Sequence, residues 1–99
     1  MGSFQILVTP QAKADLAALA QNRAAAKHLK SVQKALGLLE TNPRHPSLKT
    51  HEFESLRGPN KEKVYEAYAE NKTPAAYRIF WYYGPERGTI CILTITSHP

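Results

Sequence analysis

The sequence predicts an α+β domain in the order β-α-α-β-β-β, a small antiparallel sheet packed against a helical hairpin. Three observations carry that prediction. Apolar residues recur at helical spacing in the first half of the chain, as in Ala25, Leu29, Val32, Leu36 and Leu39. From Lys63 onward the composition turns to short runs of β-branched and aromatic residues. Turn-forming segments, above all Gly84-Pro85-Glu86-Arg87-Gly88, separate those runs. The 99 residues suit one domain over 1–99.

Residues 4–8, Phe-Gln-Ile-Leu-Val, form a short apolar run with a sharp end and read as the first strand. Thr9-Pro10 starts a helix: the hydroxyl accepts from an orphan amide, and the proline ring presets φ for the first helical position. Residues 10–20 put Ala12, Leu16, Leu19 and Ala20 on one face, and Asn22 reads as the N-cap of a second helix over about 23–40. That helix opposes its apolar stripe with Arg23, Lys27, Lys30 and Lys34, displaced by about half a turn. Thr41-Asn42-Pro43 ends it, because the residue before proline avoids the helical region.

Residues 41–60 read as irregular, with 48–56 undecided between a short helix and a turn. Residues 64–69, 75–83 and 89–96 read as three strands in series, joined by turns at 70–74 and 84–88. Such a series makes an antiparallel meander, and two helices are available to cover one of its faces.

Composition narrows the function classes. With 42% hydrophobic and 21% charged residues the chain is ordinary globular material, unlike a disordered tail. It holds no apolar run near the roughly 20 residues that cross a bilayer, and no basic-then-apolar leader, so a cytoplasmic protein is expected. Cys91 is the lone cysteine, between Ile90 and Ile92, and reads as a buried structural thiol. The net charge of +5 resides in the first half: residues 1–50 carry seven Lys/Arg against two acids, and residues 51–99 carry six against six. Excess positive charge favours polyanionic partners. His28, His45 and His51 lack metal-ligand spacing, and no phosphate-cradling glycine loop, nucleophile elbow or carboxylate cluster is present, so either a binding module or metal-free chemistry without a cofactor is expected.

Several local phrases, in order and spacing, resemble the RelE/ParE toxin superfamily. They are Val8-Thr9-Pro10-Gln11-Ala12 with Asp15-Leu16, the Leu-Leu-Glu-Thr-Asn-Pro of residues 38–43, and Leu56-Arg57-Gly58. Ala76-Tyr77-Arg78-Ile79-Phe80-Trp81 is similar to the family's Tyr-Arg strand, and Ile92-Leu93 with Ile95 and His98 is like its closing strand. The resemblance spans nearly the whole chain. It implies the toxin of a type II toxin–antitoxin pair, silenced by a cognate antitoxin. It also implies one of two activities: RelE/HigB-like cleavage of mRNA on the ribosome, or ParE-like inhibition of DNA gyrase without chemistry. A family member that binds an antitoxin-like partner and poisons nothing is a third reading. Fold alone does not choose among them.

Cleavage by 2′-hydroxyl attack needs a base, a cation over the phosphate and an acid at the leaving oxygen. The resemblance makes Arg78 the cation; as the one charge in an apolar strand, it alternatively pairs with Glu66 or Glu70 or reaches the sheet edge. The resemblance likewise makes His98 and Glu66 the expected proton carriers. Tyr82, which alternation sets on the face of Arg78, would stack on a base or donate to a phosphate. Lys61 and Lys63 open the meander, near where the resembled RelE toxins use lysines, and the resemblance makes them RNA contacts. Arg23, Lys27, Lys30 and Lys34 either grip phosphates or form the wet face of an amphipathic helix.

Overall fold

The structure, a computed structural model, describes residues 3–97. His98 lies outside the described residues. Strand β1, Gln5–Val8, leads into helix α1, Pro10–Gln21. Thr9 caps α1: its hydroxyl oxygen accepts from the Ala12 amide and donates to the Leu93 carbonyl, which ties the helix start to the last strand. Asn22 is extended and ends α1, and its side chain accepts from the Ala24 amide. This cap opens a single 3-10 turn, Arg23–Ala25, that runs into α2, Ala26–Thr41. The expected second helix is therefore two pieces, with the cap on the shorter one.

After a second 3-10 turn, Pro46–Leu48, come four strands: β2 His51–Arg57, β3 Lys63–Tyr68, β4 Tyr77–Tyr83 and β5 Thr89–Ser97. They form one five-stranded sheet with β1, in the order β1-β5-β4-β3-β2. β5, β4, β3 and β2 run antiparallel, as a meander requires, while β1 joins the edge of β5 in parallel through the helical hairpin.

Two further sequence expectations change. The undecided stretch at 48–56 holds strand β2, so the meander has four strands. β2 is an edge strand rich in charge, with His51, Glu52, Glu54 and Arg57, and its register against β3 shifts between Glu52 and Arg57. Charges and irregular register are how exposed edges avoid pairing with another chain, and they also erase the alternation that identifies a strand. Ala20 is exposed instead of facing the sheet; eight residues beyond Ala12, it is turned roughly 80° from it around the helix.

The helices cover one sheet face. Ala12, Leu19, Val32, Ala35 and Leu39 pack there against Ala67, Ile79, Trp81, Ile90, Ile92 and Ile95. The opposite face carries a smaller apolar cluster of Val64, Phe80, Tyr82 and Cys91, joined by Leu7, Phe53 and Leu93. Cys91 is buried and free, as its apolar neighbours suggested. The β4–β5 turn uses left-handed glycines, Gly84 at φ 132° and Gly88 at φ 80°. No described helix is long and apolar enough to cross a membrane.

Candidate active site

Alternation along β4 sends Ile79 and Trp81 under the helices and Phe80 and Tyr82 to the other face, and Arg78 goes with the latter pair. Register does the rest. Arg78 stands opposite Tyr68, Glu66 opposite Phe80, and His51 opposite Glu66, so Arg78, Glu66, Tyr68 and His51 share one face. Arg78 is 7% exposed and Glu66 8%, and charges this enclosed require compensation.

The compensation is specific. Arg78 Nη1 donates to the Glu70 carbonyl at 2.7 Å and more weakly to the Tyr77 carbonyl at 3.4 Å. Its guanidinium carbon sits 3.7 Å from the centre of the Tyr68 ring, a close cation–π contact. Its Nε lies 3.5 Å from Glu66 Oε2, an ion-pair distance, yet makes no aligned hydrogen bond and is buried. Nη2 makes no hydrogen bond among the described residues, which leaves a free fork of the guanidinium.

Glu66 is held from its other side by His51, whose Nε2 is 2.8 Å from Oε1. The other ring nitrogen, Nδ1, is 2.9 Å from the Lys49 carbonyl oxygen. Both ring nitrogens therefore face acceptors. The ring satisfies both at once as the imidazolium, or with the shared proton sitting on Glu66. A cation, a carboxylate and an imidazole thus stand in continuous contact. Beside them, Glu70 is a second enclosed carboxylate. Both its oxygens lie 2.8 Å from His28 Nδ1 on α2, and Oε1 also accepts from the Tyr77 amide.

The remaining sequence candidates lie elsewhere. Tyr82 shares the face of Arg78 but is four residues along β4, roughly 13 Å at strand rise. Its phenol is pushed up to about 12 by burial first and by the neighbouring Cys91 thiol second, so it is a neutral hydrogen-bond donor at physiological pH. Lys61, in a left-handed turn conformation, and Lys63 are exposed at the far end of β3, with Lys63 roughly 17 Å from Tyr68. Arg23, Lys27, Lys30 and Lys34 are exposed along the outside of the helical layer, on the other side of the sheet from Arg78. Lys27, Lys30 and Lys34 border a shallow surface groove with Ser31. Among the described residues, no group of three or more His, Cys, Asp or Glu is placed to hold a metal ion.

Sequence reasoning missed His51, Tyr68 and His28. Tyr68 was reachable, since it lies two residues beyond Glu66 and so shares its face. His51 and Phe53 carry the only trace of alternation in β2. Nothing local marks His28, which meets a carboxylate 42 positions away.

A family model described as the ParE toxin of the type II toxin–antitoxin system parDE matches residues 6–98. No curated protein matches the sequence. Several solved structures share the fold. A YoeB/ParE toxin from Agrobacterium tumefaciens superposes with a TM-score of 0.71 at 8% identity, over 96% of this chain and 99% of that one. The RelE–RelB complex of Pyrococcus horikoshii OT3 gives 0.65 at 17% identity, over 96% and 94%. The YoeB dimer of Staphylococcus aureus gives 0.62 at 18% identity, over 99% and 100%.

Proposed function

This chain belongs to the ParE toxin family of type II toxin–antitoxin systems, within the RelE/ParE superfamily, and from that premise we propose that it is a metal-free endoribonuclease that cuts mRNA on the ribosome. The observation that carries the reading is the contact chain from Arg78 through Glu66 to His51. The substrate's 2′-hydroxyl attacks the adjacent phosphorus, and Glu66 takes its proton. The new O–P bond closes a 2′,3′-cyclic phosphate as the bond to the 5′-oxygen breaks. His51 supplies the proton that the leaving oxygen needs, with His98 a second candidate for that step. Arg78 turns its free Nη2 fork to the phosphate oxygens, where negative charge gathers in the transition state.

Tyr82, buried among Val64, Phe80 and Cys91, is left to the packing of that face and is not available to stack on a base, while Lys61 and Lys63 hold the strand's phosphates farther along the sheet. Arg23, Lys27, Lys30 and Lys34 grip ribosomal RNA behind the helical layer. A cognate antitoxin holds the toxin silent in the bacterial cytoplasm; the fold shared with a RelE–RelB complex supports a partner of that kind.

The test is incubation of purified protein with programmed ribosomes, followed by mapping of RNA ends. Cyclic phosphate ends that disappear in Arg78→Ala and Glu66→Gln are expected. Intact mRNA in cells whose growth nevertheless stops would reject the reading. A second reading, a ParE-like gyrase inhibitor that cuts nothing, is favoured by the description of the matching family and by the pairing of Arg78 with Glu66. It predicts blocked supercoiling by purified gyrase, with RNA left whole.

A further inference from the structure

Glu70 has two attachments that meet at Arg78. Its carboxylate is 7% exposed and is bound by His28 Nδ1 through both oxygens at 2.8 Å and by the Tyr77 amide at 3.0 Å. Its backbone carbonyl accepts the short 2.7 Å bond from Arg78 Nη1. Its amide donates to the Tyr77 carbonyl at 3.3 Å, which closes the β3–β4 loop across its base. His28 also packs at a tilt against the Tyr77 ring, with centroids 5.0 Å apart. Beyond this closure the loop is irregular and includes Ala75 at a left-handed φ of 54°. The carbonyl that orients the guanidinium is therefore held by a histidine from the helical layer, on the far side of the sheet.

We propose that His28 and Glu70 are positioning residues for Arg78: the His28–Glu70 pair fixes the Glu70 carbonyl, and that carbonyl aims the guanidinium so that Nη2 faces a bound phosphate. Neither residue touches substrate. The inference rests on the ribonuclease reading for its kinetic consequence, but not for its structural one. The carboxylate's bonds fix two sides of the loop base, while Tyr68 and Glu66 constrain Arg78 only by stacking and by an unaligned ion pair. Loss of the clamp leaves the charge in place and its direction loose. Misplacement of a catalytic group by about 1 Å costs on the order of a hundredfold in rate, mostly in the chemical step.

The experiment compares the full chain with His28→Ala, His28→Asn and Glu70→Ala, since an asparagine amide can occupy the place of Nδ1. The first readout is the nitrogen-15 NMR spectrum of the Arg78 side chain, which needs no activity. Wild type and His28→Asn should show a slowly rotating, exchange-protected Nη1 group, and His28→Ala and Glu70→Ala should lose it. The second readout is ribosome-dependent cleavage. His28→Ala should lower kcat roughly ten- to hundredfold with KM within about twofold, and His28→Asn should recover most of the loss. A protected Nη1 group that persists in His28→Ala and Glu70→Ala overturns the proposal, whatever the cleavage data. Folded variants that lose the signal yet keep wild-type kcat overturn its kinetic half. A wild-type protein that cuts no RNA rejects the ribonuclease reading alone, and the NMR comparison still decides the clamp.

Discussion

Replacing Glu66 with leucine removes the carboxylate between His51 and Arg78 and leaves a guanidinium whose side chain is only 9% exposed. Breaking an enclosed ion pair from one side costs about 3–5 kcal/mol, because the surviving charge stays desolvated. Here the Tyr68 ring and the Glu70 carbonyl still compensate Arg78, so the lower end, about 3 kcal/mol, is expected. The reverse substitution, Arg78→Leu, is milder. Glu66 keeps His51 at 2.8 Å, and that ring is 47% exposed and free to adjust; the loss should be about 2 kcal/mol. In the double variant neither charge is stranded, so the total should be about 3 kcal/mol rather than the sum of the singles. The difference is a coupling energy of about 2 kcal/mol, well above the roughly 0.5 kcal/mol scatter of independent sites. Urea denaturation of the four proteins at pH 7 measures it, provided the slopes agree. Additivity within about 0.5 kcal/mol would refute the reasoning: the 3.5 Å contact would then be proximity without energetic consequence, and Arg78 would owe its place to Tyr68 and Glu70.

Alkaline stability should report Tyr82. Its phenol is raised from 10.0 to about 12, so between those values the folded chain holds a proton that the unfolded chain has released, and stability falls as pH rises. A loss of about 1 kcal/mol between pH 9 and 11 is expected beyond that of Tyr82→Phe; identical pH profiles for the two proteins would contradict it. Gly88→Ala sets a Cβ at φ 80° and should lower stability by about 1–2 kcal/mol on steric strain alone, because nothing lies near enough to clash. An unchanged thermal midpoint would show that the turn relaxes. Changing Lys27, Lys30 and Lys34 to glutamine should reduce the salt dependence of binding to an uncleavable RNA by about 2 in log–log slope, if each meets one phosphate. An unchanged slope would assign that stripe to solvation.

Much of the fold is visible in local sequence because its causes are local. Thr9 and Pro10 act on the backbone beside them, the stripe from Ala25 to Leu39 follows helical periodicity, and Gly84 and Gly88 take conformations that side chains resist. Alternation in β4 likewise puts Arg78 and Tyr82 on one face, since the strand period alone dictates it. β2 was illegible because its strand character is supplied by β3: seven residues bearing four charged or titratable side chains become a strand only when a neighbour offers its hydrogen bonds.

The candidate site divides in the same way. The family resemblance, with residue type, named Arg78 and Glu66 as candidates and a histidine and a carboxylate as the proton carriers that RNA cleavage would call for. Which imidazole meets Glu66 was not legible, because His51 arrives through the register of β2 on β3, and His28 reaches Glu70 through the packing of α2 on the sheet. Alternation grouped Tyr82 with Arg78, and the resemblance grouped Lys61 and Lys63 with it, and the sheet separates all three from it by strand length. Local patterns in the chain dictate most of the elements, their order and the residues able to carry charge. Packing decides which of those charges touch, since hydrogen bonds and ion pairs act over about 3–4 Å, and only the assembled sheet and helices bring residues 15 to 42 positions apart within that range.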